Sequence, residues 1–134
     1  LVVSGKAIRV HAAHYSLVDD GIFICSATLA PGAEHKEVES VINKEINNVL
    51  KKGVREKELG ICKEKIATET AFSRDGYFSI ASELNEAVAL GDWTRYTKML
   101  PAIERLRPSD IKKAAKKYLI KSQKTTGWFL PKRQ

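Results

Sequence analysis

The sequence KAIRVHAAHYSLVDDGIFICSATLA, residues 6–30, predicts the element around which the rest of the fold is built. In its first part Ile8 and Val10 alternate with other residues, and its second part is dense in β-branched and aromatic side chains, as is typical of strands. The Asp-Asp-Gly sequence at 19–21 is typical of a tight turn. We therefore expect an antiparallel hairpin. Because its second half is apolar on both faces, we expect that half to be an inner strand.

Three histidines, His11, His14 and His35, are the candidates for a metal site. On a helix, the spacing of His11 and His14 would place both on one face, where they could bind zinc. On the predicted strand, their odd separation places them on opposite faces. We therefore expect no metal site at this pair, whose role stays open. We expect His35 to be an exposed or capping residue near the start of a helix.

Most of the chain after the hairpin is predicted to be helical. The stretch from Leu29 to Gly53 contains apolar residues at i, i+3 and i+4 spacing and ends at a glycine, which indicates an amphipathic helix. Further helices are predicted at 55–72, 73–91 and 107–119, with one or two short helical turns interrupted by Pro101 at 92–106, and a closing strand at 125–131. The residues predicted to face inward on the third helix are Tyr77, Ile80, Ala81, Leu84 and Val88. This order, β-β-α-α-α-α-β, predicts an α+β fold with helices packed on one face of an antiparallel or mixed sheet.

Length and composition predict a single globular domain over residues 1–134. Hydrophobic residues make up 43% of the chain and charged residues 29%, an ordinary globular composition. The chain opens at Leu1 rather than at a methionine, and we expect it to be a fragment of a larger protein. No apolar run approaches the length of a membrane span, so we expect no membrane partner. The compartment stays open between periplasmic or secreted and cytoplasmic. The apolar surroundings of Cys25 and Cys62 favour two buried thiols over a disulfide.

The net charge of +7 is concentrated near the end of the chain. The C-terminal basic cluster consists of Lys112, Lys113, Lys116, Lys117, Lys121, Lys124, Lys132 and Arg133. Such a cluster can bind nucleic acid or anionic lipid. Aromatic residues do not alternate with these lysines, as stacking on bases would require. The pattern therefore favours a solvated helix face over a nucleic-acid site.

The sequence contains none of the short motifs that mark common active sites. It lacks the phosphate-binding G-x-G-x-x-G and G-K-[ST], the nucleophile elbow G-x-S-x-G, and the zinc motifs C-x-x-C, H-E-x-x-H and H-x-x-E-H. The nearest approach to the last motif, at residues 35–39, has Val38 in place of the glutamate and Glu39 in place of the second histidine. We therefore predict no catalytic, cofactor-binding or metal-binding residue in this chain.

Four phrases follow one another in an order that resembles a known family. LVVSGKAIRVHAAHY (1–15) resembles a segment before the hairpin in some bacterial members. GIFICSATLAPGAEHKEVESVINKEINNVLKKGVREKELGICKEKI (21–66) resembles a strand, an acid-rich amphipathic helix ending in Gly-Val-(Ser/Thr)-x-x-Glu-Leu, and a long helix, with Arg55 replacing the usual capping residue. FSRDGYFSIASELNEAVALGDW (72–93) resembles an Arg-Asp segment, an apolar helix and a Gly-x-Trp turn. LRPSDIKKAAKKYLIKSQKTTGWFLPK (106–132) resembles a closing helix and strand. The family is the pitrilysin/insulinase family of zinc metallopeptidases, which includes the mitochondrial processing peptidases.

The resemblance implies a protein of two homologous halves that enclose an unfolded peptide. The catalytic half carries H-x-x-E-H and a downstream glutamate, which bind zinc and activate water, so zinc is expected there and not in this chain. The resemblance implies that this chain is the C-terminal part of the non-catalytic half. Its expected partners are the catalytic half, in the same polypeptide or in a partner subunit, and an unstructured peptide. The family's substrate-gripping Tyr and Arg would fall at Ile8 and at or before Leu1, and neither residue matches.

Two other functions stay open. The chain could be a catalytically inactive structural or protein-interaction domain of the same fold, or a basic nucleic-acid-binding module. An H-x-x-E-H in the parent polypeptide or in a co-encoded partner would favour the peptidase half. A nucleic-acid-binding module would show affinity that falls steeply as salt rises. We also expect self-association through an exposed sheet edge.

Overall fold

The structure, a computed structural model, describes residues 1–130. Its elements are β1 (Ala7–Ser16), β2 (Gly21–Leu29), α1 (His35–Lys52), α2 (Glu56–Ser73), α3 (Tyr77–Ala89), α4 (Arg95–Glu104), α5 (Pro108–Tyr118) and a 3-10 helix (Lys121–Gln123). The two strands are antiparallel, and the predicted α+β class is confirmed. None of the helices in the described part is long and apolar enough to cross a membrane.

The predicted hairpin forms, but its turn runs from Leu17 to Asp20 rather than over 19–21, because Gly21 is already the first residue of β2. Next to the turn, the Leu17 N–H donates to the Asp20 carbonyl (N···O 2.8 Å), and at the open end the Ala30 N–H donates to the Lys6 carbonyl (3.2 Å). Within residues 1–130 the sheet consists of β1 and β2 alone. The prediction that β2 is an inner strand is therefore wrong for the described chain. An apolar pattern indicates that a strand can lie between neighbours, but it does not show that those neighbours belong to the same chain.

The chain divides into two compact units. Within the described residues, the first consists of residues 1–12, 25–53 and 112–130, and its buried apolar residues are Ala7, Val38 and Ala115. The second consists of residues 13–24 and 54–111, and its buried apolar residues are Leu59 and Ala87. Each unit therefore has a small core, and the single domain over 1–134 stays a prediction.

In the first unit, α1 follows the predicted periodicity. Val38 is buried and Ile42 is half-buried on the same side of the helix. The helix is followed by Gly53 with φ of +77°, a conformation that glycine adopts without steric cost. The Lys112 ammonium donates to the Lys51 carbonyl (2.7 Å), one of the carbonyls left without a partner inside the last turn.

In the second unit, α4 packs against both α2 and α3. Lys63 of α2 donates from Nζ to the carbonyls of Glu104 (2.9 Å) and Leu106 (2.7 Å), and so caps the C-terminal end of α4. Arg74, which follows α2, donates from Nη2 to the Tyr96 carbonyl (2.7 Å), and its guanidinium lies 4.3 Å from the centre of the Tyr96 ring. Two basic side chains therefore connect the helices of this unit.

The region around Pro101 differs from the prediction. Instead of short interrupted turns, Arg95–Glu104 is one helix with Pro101 inside it. A proline removes the hydrogen bond that its own N–H would donate four residues back, here to Thr97. Both residues are exposed, so water can satisfy the freed carbonyl. The helix also gains from its packing against two neighbours, which local sequence does not reveal.

The inward face predicted for α3 is wrong in most of its residues. Ala87 is the buried residue of this helix, whereas Tyr77 is 94% exposed and Val88 is 57% exposed. Ile80 is half-buried, as predicted. Apolar residues occur on more than one side of α3, so periodicity alone could not select the stripe. The buried residue is a small alanine, whereas the large Tyr77 and Phe78 side chains face outward.

Two further predictions need correction. Residues 125–130 form no strand, and Pro131, the last residue of the predicted strand, lies outside the described residues. The segment is bound to α1 through side chains, and it lacks the hydrogen-bonded neighbour that a strand requires. Cys25 and Cys62 are free thiols, as expected, but both are exposed rather than buried. Cys25 lies on the uncovered β2, and Cys62 lies beside an open groove.

Candidate functional site

The three histidines lie in separate places. His11 and His14 are exposed on β1, where the His14 Nδ1 is 3.4 Å from the Ser16 hydroxyl. His35, at the first position of α1, has its Nε2 3.3 Å from the Phe129 carbonyl. Across residues 1–130 there is no group of three His, Cys, Asp or Glu side chains that could hold a metal ion. These residues therefore do not fit zinc, and His35 serves to bind the C-terminal segment.

The outer side of β2 has unpaired backbone groups. Asp20 accepts from Leu17 and Ala30 donates to Lys6, so even-numbered residues of this strand point their backbone groups toward β1. In a regular strand, neighbouring residues point these groups in opposite directions. The outward N–H and C=O groups therefore belong to the odd-numbered residues, which we call the β2 edge: Gly21, Phe23, Cys25, Ala27 and Leu29.

Both faces of β2 are also exposed. Phe23 is 48% exposed on one face, and Ile22 and Ile24 are 54% and 42% exposed on the other. The strand contains no charged residue and no proline. Charges and prolines are the features by which natural edge strands avoid pairing with other chains. The hairpin thus offers apolar contacts and free backbone hydrogen-bonding groups to an extended partner.

An apolar groove of about 270 Å³ lies in the second unit, beside α2 and α4. Its walls include Leu59, Cys62, Ile66, Ile103, Leu106 and Ile111. Lys63 also borders the groove, and its ammonium is held by two backbone carbonyls at the end of α4. Glu58 borders the groove as well, and its carboxylate is bound to the Arg55 side chain, so both charged groups of the walls already have partners. The groove suits an apolar side chain better than catalysis.

The C-terminal segment is bound to α1 by polar side chains. The Lys124 ammonium donates to the Glu39 carboxylate (2.8 Å) and to the Asn43 amide oxygen (2.8 Å), and the Thr126 hydroxyl donates to Glu39 (3.3 Å). The hydrogen bond from Lys124 lowers the pKa of Glu39 below its ordinary value. Lys124 of the basic cluster therefore has a structural contact within the first unit.

The rest of the basic cluster divides into three groups. Lys112 caps α1, as described above. Lys113, Lys116, Lys117 and Lys121 are exposed, and the Tyr118 side chain raises the pKa of Lys117. Lys132 and Arg133 lie outside the described residues. Of the six members of the cluster that the structure describes, Lys112 and Lys124 thus have a backbone or carboxylate partner, and the expectation of a solvated helix face stays a prediction.

Solved structures with the same fold carry peptidase descriptions. A "putative zinc protease" from Bordetella pertussis Tohama I is 23% identical, with a TM-score of 0.85 over 98% of this chain and 73% of that one. The "inactive peptidase domain of a putative zinc protease" from Bordetella parapertussis is also 23% identical, with a TM-score of 0.87 over 100% of this chain and 72% of that one. A protease from Helicobacter pylori is 17% identical, with a TM-score of 0.82 over 88% and 29%.

These similarities establish the fold of the chain. It is the α+β fold found in zinc-protease peptidase domains. No protein family matches the sequence, and no curated protein is similar to it. Sequence reasoning correctly placed the hairpin and missed that its β2 edge is unpaired. An uncharged run such as Gly21–Leu29 is equally typical of a covered strand, so the sequence carried no signal that this edge is unpaired.

Proposed function

We propose that this chain is a non-catalytic, peptide-enclosing part of a zinc metallopeptidase of the pitrilysin/insulinase type. In this proposal it belongs to a longer two-half protein, or assembles with a catalytic partner subunit. The observation that carries the proposal is a fold similar to two zinc-protease chains over at least 98% of this chain, combined with a sequence that has no H-x-x-E-H. The description of one neighbour as an inactive peptidase domain also supports a non-catalytic role.

In this proposal, zinc and the water that attacks the peptide bond belong to the catalytic half. The donor set described here does not fit the metal, because no three potential ligands lie together within residues 1–130. This chain would hold the substrate and contribute nothing to bond cleavage itself. Its contribution is to keep an unfolded segment extended and close to the catalytic groups.

The exposed hairpin gives this role a physical basis. An extended peptide can add as a further strand, with main-chain hydrogen bonds supplying affinity and alternate side chains contacting the sheet face. Ile8 and Val10 on β1 are 63% and 39% exposed, so apolar contacts are available beside this strand as well as beside β2. Binding of this kind tolerates many sequences, because most of its hydrogen bonds go to the backbone.

A second function has support of its own. The family's substrate-gripping Tyr and Arg are absent at the positions where the resemblance would place them, at Ile8 and at or before Leu1. The chain could instead be a structural or protein-interaction domain of the same fold. The two functions differ in whether a longer protein containing this chain cleaves peptides.

A cleavage assay tests the proposal. The substrate is a quenched unstructured peptide, incubated with this chain alone and with the longer polypeptide or the co-encoded partner, with and without a chelator and zinc add-back. We expect chelator-sensitive cleavage by the larger assembly and none by the chain alone. Cleavage by neither, in a folded and zinc-loaded assembly, would favour the structural domain.

A binding assay tests how peptide is held. A fluorescent unstructured peptide is titrated with the chain, beside the same peptide carrying N-methyl groups on alternate backbone amides. Because N-methylation removes the donors that a strand must supply, we expect affinity to fall at least about tenfold. Equal affinity for the two peptides would contradict strand addition while leaving the apolar contacts in place.

A further inference from the structure

Charge is divided unequally between the two compact units. In the described residues, the first unit contains twelve lysine and arginine residues and four glutamates, whereas the second contains nine basic and twelve acidic residues. Two of the four glutamates are already paired, Glu37 with Lys6 and Glu39 with Lys124. The first unit therefore carries a positive excess that its own carboxylates do not offset. This excess is fixed by these side chains and does not depend on what surrounds the unit.

Much of the excess lies where the end of α1 meets α5. The Lys112 ammonium donates to the Lys51 carbonyl (2.7 Å), and the Lys112 side chain passes beside Gly53, where an added Cβ would lie 3.4 Å from its Cδ. This contact places the last turn of α1 next to α5. The α5 patch is the set of lysines that the contact brings together: Lys51, Lys52, Lys112, Lys113, Lys116 and Lys117. All are exposed except Lys112, which is half-buried.

Helix dipoles account for some of these lysines but not for their assembly. A cation in the last turn of a helix is stabilised by the partial negative charge there, which suits the lysine pairs that end α1 and α5. Lys113 lies earlier in α5, three residues before Lys116 and four before Lys117, at spacings where like charges on a helix repel. Within residues 1–130, no carboxylate forms an ion pair with the α5 patch. An anion bound there would relieve the repulsion.

Three features of the α5 patch indicate the kind of anion. Its cations are all lysines, which are compact charges on flexible stems and adapt to a flexible partner. The Lys117 ammonium lies 4.8 Å from the centre of the Tyr118 ring, so this ring is not a free platform for a nucleic-acid base. The apolar side of α5 is turned into the unit, with Ala115 buried and Ile111 and Leu119 half-buried, so it does not insert into a lipid surface. A flexible chain of carboxylates fits these features best.

We propose that the α5 patch binds acidic segments of the unstructured peptides that this chain encloses. That the partner is a peptide rests on the function proposed above, whereas the sign of its charge rests on the α5 patch. Complementary charge speeds encounter and selects among partners more than it adds affinity. Peptides of high net charge are also among those that stay unfolded in solution. The α5 patch thus supplies a preference among unfolded peptides that hydrogen bonds to the backbone do not supply.

A binding titration tests the sign of the charge. The probe is a fluorescent unstructured peptide of Glu, Gly and Ser, compared with the same peptide carrying Gln in place of every Glu. We expect the acidic peptide to bind at least about tenfold more tightly at low salt, and the difference to shrink as salt is raised. Equal binding of the two peptides would overturn the inference while leaving the proposed peptide-holding function in place. Binding of neither would also overturn it, and the chelator-sensitive cleavage assay then decides the proposed function separately.

Matched variants locate the binding. The patch variant removes three exposed lysines of α5 and keeps the Lys112 contact: Lys113→Gln, Lys116→Gln and Lys117→Gln. The control variant removes three exposed lysines of the second unit: Lys57→Gln, Lys65→Gln and Lys98→Gln. Glutamine is nearly as good a helix former as lysine, and circular dichroism checks that both variants are folded. We expect the patch variant to bind the acidic peptide at least about tenfold more weakly and the control at most about twofold. Equal losses would overturn the assignment to α5.

A charge exchange and a larger assembly complete the test. Glutamate at the same three positions of α5 should reverse the preference, toward a peptide with Lys in place of Glu, and an unchanged preference would overturn the inference. The patch variant made in the longer polypeptide, or in the assembly with its catalytic partner, should show the same loss as in the chain alone. A loss confined to the chain alone would show that the α5 patch is covered in the larger protein. That result would overturn the inference, as would tighter patch-dependent binding of an oligonucleotide or of vesicles containing anionic lipid.

Discussion

Truncating Leu59 tests whether the second unit depends on its small core. Leu59 is 8% exposed on α2 and forms part of the wall of the apolar groove. Leu59→Ala removes three carbon groups, and at about 0.8 kcal/mol for each buried group the transfer cost is about 2.4 kcal/mol. The groove is open, so water can fill the space and little further cost comes from an empty cavity. We expect a loss of about 2–3 kcal/mol in the free energy of unfolding.

Urea denaturation followed by far-ultraviolet circular dichroism measures this loss. With an m-value of about 1.5 kcal/mol/M, the midpoint should fall by about 1.5 M. The matched control is Ile61→Ala on the same helix, because Ile61 is 57% exposed. This control should cost less than about 1 kcal/mol, since alanine is the better helix former and little buried area is lost. Equal losses in the two variants would refute the burial argument.

Three further outcomes are expected. Gly53→Ala should destabilise the chain by about 1–2 kcal/mol, because the backbone φ at residue 53 is +77°. Gly60→Ala, inside α2, should be neutral or stabilising, because a Cβ added there meets nothing within 4 Å. Urea denaturation midpoints measure both effects. The hydrogen bond from the Arg55 side chain lowers the pKa of Glu58, so stability from this pair is present above the unfolded pKa of about 4.3 and lost as pH falls through the folded pKa. Glu58→Gln should therefore unfold more readily than wild type at neutral pH, and the two should unfold equally once the pH lies below the folded pKa of Glu58. Lys124→Met should release the C-terminal segment and increase iodide quenching of Trp128.

Each of these outcomes has a control that could contradict it. Equal effects at the two glycines would contradict the argument from backbone conformation. Arg55→Gln should show the same pH dependence of unfolding as Glu58→Gln. If both variants lose stability with falling pH as the wild type does, the Arg55–Glu58 pair does not contribute to stability in solution. The quenching experiment uses a Trp93→Phe background so that Trp128 is the sole indole. Unchanged quenching there would show that the segment is held by other contacts.

The parts of the fold that depend on local pattern could be predicted from the sequence. The turn residues at 19–21 and the strands beside them are local features, and the hairpin forms there with its turn at Leu17–Asp20. The buried face of α1 and the glycine that ends the helix are also local features, and the structure confirms both: Val38 is buried and Gly53 has a positive φ. The Glu58 carboxylate accepts the Arg55 backbone N–H (2.9 Å), so α2 keeps half of a capping arrangement although the capping Ser or Thr is absent.

The wrong predictions concern segments whose structure depends on contacts with residues far away in the sequence. The segment at 125–130 has the composition of a strand and no strand beside it in the described chain, and side chains on α1 hold it instead. On α3, the sequence permits more than one apolar stripe, and packing of Ala87 selects one that leaves Tyr77 outward. The candidate edge at β2 could not be predicted as free, because an apolar strand in sequence is equally consistent with a covered one.

The exposed surfaces of β2 and α3 need different kinds of partner. The β2 edge offers unpaired backbone groups, so a strand from a peptide or from a second copy satisfies it. α3 has its backbone groups paired along the helix, and its exposed Tyr77 and Phe78, at 94% and 86%, need apolar side chains from a packed surface. A strand added at β2 would therefore pair its free backbone groups, and the exposed side chains of α3 would remain uncovered. In the proposed peptidase, the catalytic half would be the surface that α3 needs, so strand addition and enclosure by a larger protein address separate parts of the exposed surface.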